Sequence, residues 1–280
     1  MEPNCYPNRR QLLRQILSSA ACAASLRSAS KPVLIANPQG NFHFLRGIAP
    51  YSSAAIADPG FEVVHVTLSP APPVSLGFTA IDRHLKEQRR PPQALCAIEL
   101  RSPRPFTFEG FDAFNRQYVE LLKQRSLLLD RLNPVARTNV APEVHPPPEP
   151  VLYGFSYTAP SPGTRRTFIV AGAGELTGER LDARDIVHRG DVSSEGLRAK
   201  ARQVLGLMDE RLAGIGAGWS DVTVIDVYTV HGIADIMRDL LLPRAGQAAL
   251  HGIRWHFTRP PIAEIEFEMD VRRCHREIIL

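Results

Sequence analysis

Glu264, Glu266 and Glu268 fall on alternate positions of IAEIEFEMDV, shortly after Arg254 in HGIRWHF. In a strand this spacing sends all three carboxylates to one face, where they repel one another unless something cationic or polar meets them. Two readings of that face stay open. It is either a solvated face whose glutamates pair with surface arginines, or a face on which one glutamate enters a cleft beside an arginine. There, like charge and partial burial raise its pKa toward that of a general acid–base. Earlier in the chain, NPVARTNVAP sets Arg137 beside Thr138 and Asn139. An arginine grips carboxylates through its planar fork. Asn139, two residues on, points the same way on an extended segment and is read as a substrate contact or a turn former. The glycines at Gly47 and Gly172 either let backbone N–H groups approach a carboxylate or simply make turns.

Other chemistry is poorly represented. AGAGE lacks the spacing of a dinucleotide fingerprint. Cys5, Cys22, Cys96 and Cys274 form no CxxC pair, and His231, His251 and His256 make no metal-ligand pair on a helix, so no metal and no cofactor are expected. The formal charge of +4, carried mostly by arginine and without basic blocks interleaved with aromatics, argues against nucleic acid. It suits a small carboxylate-bearing ligand.

The elements that must position these residues come in two runs of the same order, Asn41 to Tyr157 and Arg166 to Val271. Each run opens with a strand and a glycine turn. An amphipathic helix follows (Val74 to Gln88, with Leu76, Ile81 and Leu85 on one face; Ser193 to Ile215), then a strand (Ala94 to Ser102; Asp221 to Val230) and a second helical stretch (Phe108 to Lys123; Ile233 to Ala249). Each run closes with an arginine-bearing segment and a final strand. The expected fold class is α+β, each half a mixed sheet backed by two helices. The linker composition of APSPGTRR divides the chain into a leader (1–30), a first domain (31–160) and a second (161–280).

A twin arginine precedes an alanine-rich stretch near the N-terminus, but Arg14 interrupts it, and an amphipathic leading helix is the preferred reading. No segment is long enough to span a bilayer, so no membrane association and a cytoplasmic location are expected.

ARTNVAP at Ala136 to Pro142 and AEIEFEMDV at Ala263 to Val271 resemble the two closing signatures of the Rid (RidA/YjgF) family, and the resemblance covers nearly the whole chain outside the leader and tail. It implies two tandem chorismate-mutase-like (Rid-type) domains, clefts between domains and a homotrimer. It also implies enamine/imine deaminase chemistry, releasing ammonia from a small dicarboxylate such as 2-aminomuconate or a chlorinated relative. By the same resemblance Arg137 grips the substrate carboxylate, with Thr138 and Asn139 beside it and Arg254 as a poorer match in the second half. Glu266, with Glu264 close behind, matches the acid that positions water and moves protons. The first half has Leu152, Gly154 and Ser156 where the glutamates belong, so the expected site is shared between Arg137 and Glu266. A chorismatase-like hydrolase and a non-catalytic metabolite-binding protein are the competing readings.

Overall fold

Helix α1 (Val74–Glu87) forms because Phe78, Ile81 and Leu85 recur at three- and four-residue spacing and are buried together; Leu76, expected on that face, is exposed. Helix α2 (Phe108–Gln124) starts where the Thr107 hydroxyl accepts the Gly110 N–H at 3.1 Å. Helix α3 (Ser194–Gly214) is capped in the same way by Ser193 and buries Leu197, Ala201, Val204, Leu205, Met208 and Leu212. The single helix expected from Ile233 is broken. A short turn, α4 (Ala234–Ile236), passes through a π-helical turn (Met237–Leu241) into α5 (Leu242–Ala245), where Pro243 has no N–H to continue an α-helical ladder. This computed structural model describes residues 33–178 and 181–280; the leader lies outside them.

The strands are β1 (Leu34–Asn37), β2 (Phe42–Leu45), β3 (Ala54–Ala57), β4 (Phe61–Thr67), β5 (Leu95–Arg101), β6 (Ala136–Pro142), β7 (Val151–Pro160), β8 (Phe168–Gly174), β9 (Val224–Tyr228), β10 (Arg254–His256), β11 (Thr258–Arg259), β12 (Glu268–Arg273) and β13 (Arg276–Ile279). They make two mixed sheets, one ordered β1-β2-β3-β8-β12-β9-β10 and the other β11-β6-β5-β7-β4-β13. The protein is therefore of mixed α+β class. The two sequence halves exchange strands. The meander β1–β3 joins the sheet of the second half through β3 and β8, while β13 runs parallel to β4 in the sheet of the first. The described residues belong to one compact unit.

Helices cover the two outer faces. Helix α3 and the segment after β9 pack on the seven-stranded sheet, and α1 and α2 pack on the six-stranded one. The inner faces meet over Phe42, Phe44, Cys96 and small residues such as Ala55, Ala97, Ala136 and Ala171, which let the backbones approach closely. Among the described residues no helix is long and apolar enough to cross a membrane.

The run AEIEFEMDV is not one strand. Glu264 has φ of +73°, which breaks the extended path, and β12 begins only at Glu268. The N–H groups of Glu266 and Phe267 are taken instead by the two carboxylate oxygens of Glu175, at 2.7 and 3.0 Å. Glu175 in turn receives the Lys200 ammonium of α3 at 3.1 Å, both side chains being fully buried. Removing one partner of such a pair strands a buried charge. Lys200→Met is expected to destabilise the protein by about 3 kcal/mol in urea unfolding; a loss below about 1 kcal/mol would show that the pair does not anchor this segment.

Candidate active site

Strand β6 lies between β11 and β5, and its extended backbone puts Arg137 and Asn139 on one face. Arg137 is almost entirely buried. Its guanidinium stands 4.8 Å from the Tyr51 ring centre, 4.7 Å from Tyr118, 5.4 Å from Phe111 and 5.9 Å from Phe114. These rings hold the cation by its faces and leave its edge for hydrogen bonds. Nη2 donates to Asn115 Oδ1 at 2.7 Å, whereas Nη1 is buried with no partner. Asn139 is similar: Oδ1 accepts from Ser102 Oγ at 2.9 Å, and Nδ2 has no partner. Two buried donors left open on one strand face are an incomplete hydrogen-bonding set, and a carboxylate completes it.

These donors face a cavity of about 40 Å³ lined also by Tyr51, Gly172, Glu268 and an apolar wall that includes Phe111, Leu176, Ile262 and Ile265. Glu268 is buried. Burial pushes its pKa well above the usual carboxylate range. The charges of Asp270 and Glu175 act in the same direction, and Arg211 and Arg137 pull it back only in part. A buried carboxyl raised in this way is suited to acid–base chemistry. Gly172 makes room for it, because a Cβ there would lie 2.2 Å from Glu268 Oε1. Burial likewise raises the Tyr51 phenol, against the pull of Arg137 and Arg211.

The residues singled out from the sequence separate into those that meet in the cavity and those that do not. Arg137, Asn139 and Gly172 meet there. Thr138 lies behind them, accepting the Gly172 N–H at 3.1 Å and donating to Asp270 Oδ2 at 2.7 Å. Gly47 packs under the loop that carries Tyr51, where a Cβ would come within 2.4 Å of the Tyr51 carbonyl oxygen. Arg254 is half-exposed and pairs with Glu277 at 3.4 Å. Glu264 is half-exposed in a two-pronged pair with Arg189, at 2.6 and 2.8 Å, which holds its pKa down. Glu266 bonds His231 Nε2 at 2.8 Å and does not line the cavity. Opposite Arg137 stands the third alternate glutamate, Glu268. The sequence contained that signal, but only the late start of β12 distinguishes it from the other two. Tyr51 was missed, since nothing local marks an aromatic in a glycine turn.

An arginine with an open edge and an amide donor beside it face a buried carboxyl of raised pKa across a partly apolar cavity, an arrangement suited to a small anionic molecule. The chain belongs to the 2-aminomuconate deaminase CnbZ family, whose model matches residues 34–278. It is 39% identical over 244 residues to a 2-amino-5-chloromuconate deaminase of Comamonas testosteroni, covering 86% of this chain and 96% of that one. Among solved structures a chorismatase is similar, with a TM-score of 0.48 and 12% identity over 86% of this chain and 79% of that one.

Two outcomes test this geometry. Glu268→Gln is expected to lower kcat by at least about 100-fold, whereas Glu266→Gln stays within about 3-fold of the parent; the reverse order would return the acid to Glu266. The second concerns Asp270, whose carboxyl is pushed up to about 8 by burial and by the charges of Asp226 and Glu99, with Arg272 and the Thr138 hydroxyl opposing. The folded state then holds a proton that the unfolded chain, titrating near 3.8, has lost, so stability falls as pH rises between those values. Asp270→Asn is expected to flatten this fall, which a single group can make as steep as about 1.4 kcal/mol per pH unit. Unfolding midpoints at pH 4 to 8 measure it; parallel profiles for the two proteins would refute it.

Proposed function

We propose that this protein is a deaminase that hydrolyses the enamine/imine C–N bond of a small dicarboxylate, of the kind of 2-aminomuconate or a chlorinated relative, and that its two halves are Rid-type units. The observation that carries this reading is the pair of open donors, Arg137 Nη1 and Asn139 Nδ2, across the cavity from the buried Glu268 carboxyl, whose pKa burial raises. Membership of the CnbZ family and the likeness to the chloromuconate deaminase support the choice of substrate.

The substrate carboxylate binds the Arg137 edge and the Asn139 amide, which fixes the adjacent enamine carbons under Glu268. The Glu268 carboxyl protonates the enamine carbon, converting the enamine to an iminium. The carboxylate left behind takes a proton from water as the oxygen attacks the iminium carbon. Passing that proton to the amino nitrogen lets the C–N bond break, giving ammonia and a ketone, with Glu268 reprotonated by the collapsing hydroxyl. One carboxyl and one carboxylate grip suffice for every proton moved.

Incubation with 2-aminomuconate is expected to release one ammonia per substrate, measured by a coupled glutamate dehydrogenase assay alongside the loss of diene absorbance. Arg137→Lys keeps the charge but loses the fork, and a 10- to 100-fold fall in kcat/KM is expected, about the worth of one charged hydrogen bond. Absence of ammonia release by the parent protein would overturn the reading.

A further inference from the structure

Ser102 stands one residue past the end of β5, and its neighbours fix its backbone. Pro103 restricts the residue before it to an extended conformation. The Ser102 N–H donates to the Val140 carbonyl at 2.8 Å, which carries the parallel pairing of β5 and β6 one step further. In that register Leu100 pairs with Asn139, so Ser102, two residues on, shares the sheet face of Asn139. The Ser102 side chain is fully buried there, and its hydroxyl donates to Asn139 Oδ1 at 2.9 Å. A side-chain amide turned end for end presents its oxygen where its nitrogen stood. In the orientation observed, the open donors of the amide nitrogen face the cavity, where a ligand meets them. In the turned orientation Nδ2 would donate to Ser102 Oγ, and the hydroxyl proton would lose the one acceptor it has among the described residues. That donor would be stranded behind the amide, out of reach of any ligand, and a buried donor left unpaired is costly.

We propose that Ser102 is a positioning residue for the carboxylate grip: by donating to Asn139 Oδ1 it holds the amide with Nδ2, and not the oxygen, toward the cavity. Ser102 does not line the cavity and acts through Asn139. An amide oxygen turned inward would repel a carboxylate held on Arg137, which shares the strand face, whereas the nitrogen adds a second donor to it. The buried hydroxyl thus decides that this wall accepts an anion. The inference rests on the reading of Arg137 and Asn139 as the substrate grip but concerns the charge recognised and not the bond broken.

The test titrates two ligands of equal length into the intact protein, cis,cis-muconate and its neutral diamide, with calorimetry as the readout. The parent is expected to bind muconate at least about 30-fold more tightly than the diamide. Ser102→Ala is expected to weaken muconate about 10-fold, the worth of one charged hydrogen bond. It leaves the diamide within about 2-fold of the parent, because a freed amide can turn its oxygen to the N–H groups of that ligand. In an Asn139→Ala background the same change is expected to alter muconate binding by less than about 2-fold, since the group through which Ser102 acts is gone. Equal losses of the two ligands in Ser102→Ala, or an undiminished loss in the Asn139→Ala background, would assign Ser102 to packing and overturn the proposal. So would a parent protein that binds both ligands alike, a result that needs no variant and stands if Ser102→Ala fails to fold. Ammonia release by the parent is measured separately, so failure of the deaminase reading and failure of the positioning role give different results.

Discussion

The buried pair of Glu175 and Lys200 fixes where Glu268 stands. Glu175 lies just after β8, and its two oxygens accept the N–H groups of Glu266 and Phe267 in place of a neighbouring strand. Lys200 also donates to the Val187 carbonyl at 2.8 Å, tying the loop before α3 to the same point. Burial alone pushes the Glu175 carboxyl up; the two N–H donors and the ammonium pull it back toward ionisation. The three donors offset the desolvation only in part, and they fix the segment: β12 starts at Glu268, and that residue meets the cavity.

The site lies on the seam between the sheets, and the seam explains its character. Arg137 and Asn139 come from a strand of one sheet, Glu268 and Gly172 from strands of the other, and Tyr51 from the loop that carries the chain between β2 and β3. Burial in such a cavity raises the Glu268 carboxyl and leaves an arginine edge open, conditions that a solvated surface cleft does not provide. The four rings around Arg137 orient it without consuming its donors.

Behind the cavity the seam is filled by charge. Arg272 meets Asp226 at 2.5 Å, His256 bonds the same carboxylate at 2.9 Å while stacking on Tyr228, and Glu99 lies between His65 and Arg101. The Tyr228 hydroxyl donates to Asp270 at 2.9 Å, which links this group through Thr138 to the Gly172 backbone. A network satisfied on so many sides resists shear between the sheets, and it holds the floor of the cavity still.

The sequence by itself determined the local elements. The spacing of Leu76, Ile81 and Leu85 and of Leu197 through Leu212 gave the first helix of each half within a residue or so, although Phe78 and not Leu76 is the buried member, and ARTNVAP, read as an arginine-bearing segment ahead of the closing strand, is itself a strand. Such features depend on near neighbours along the chain, where spacing alone decides which side chains share a face. The three glutamates show the limit: alternation predicts one face, but a left-handed Glu264 and a carboxylate from 91 residues away leave only Glu268 in the strand. The exchange of strands between halves and the approach of Tyr51 to Arg137 also belong to tertiary structure alone. Each is a contact between residues far apart in the chain, and its energy exists only once the two sheets have closed on each other.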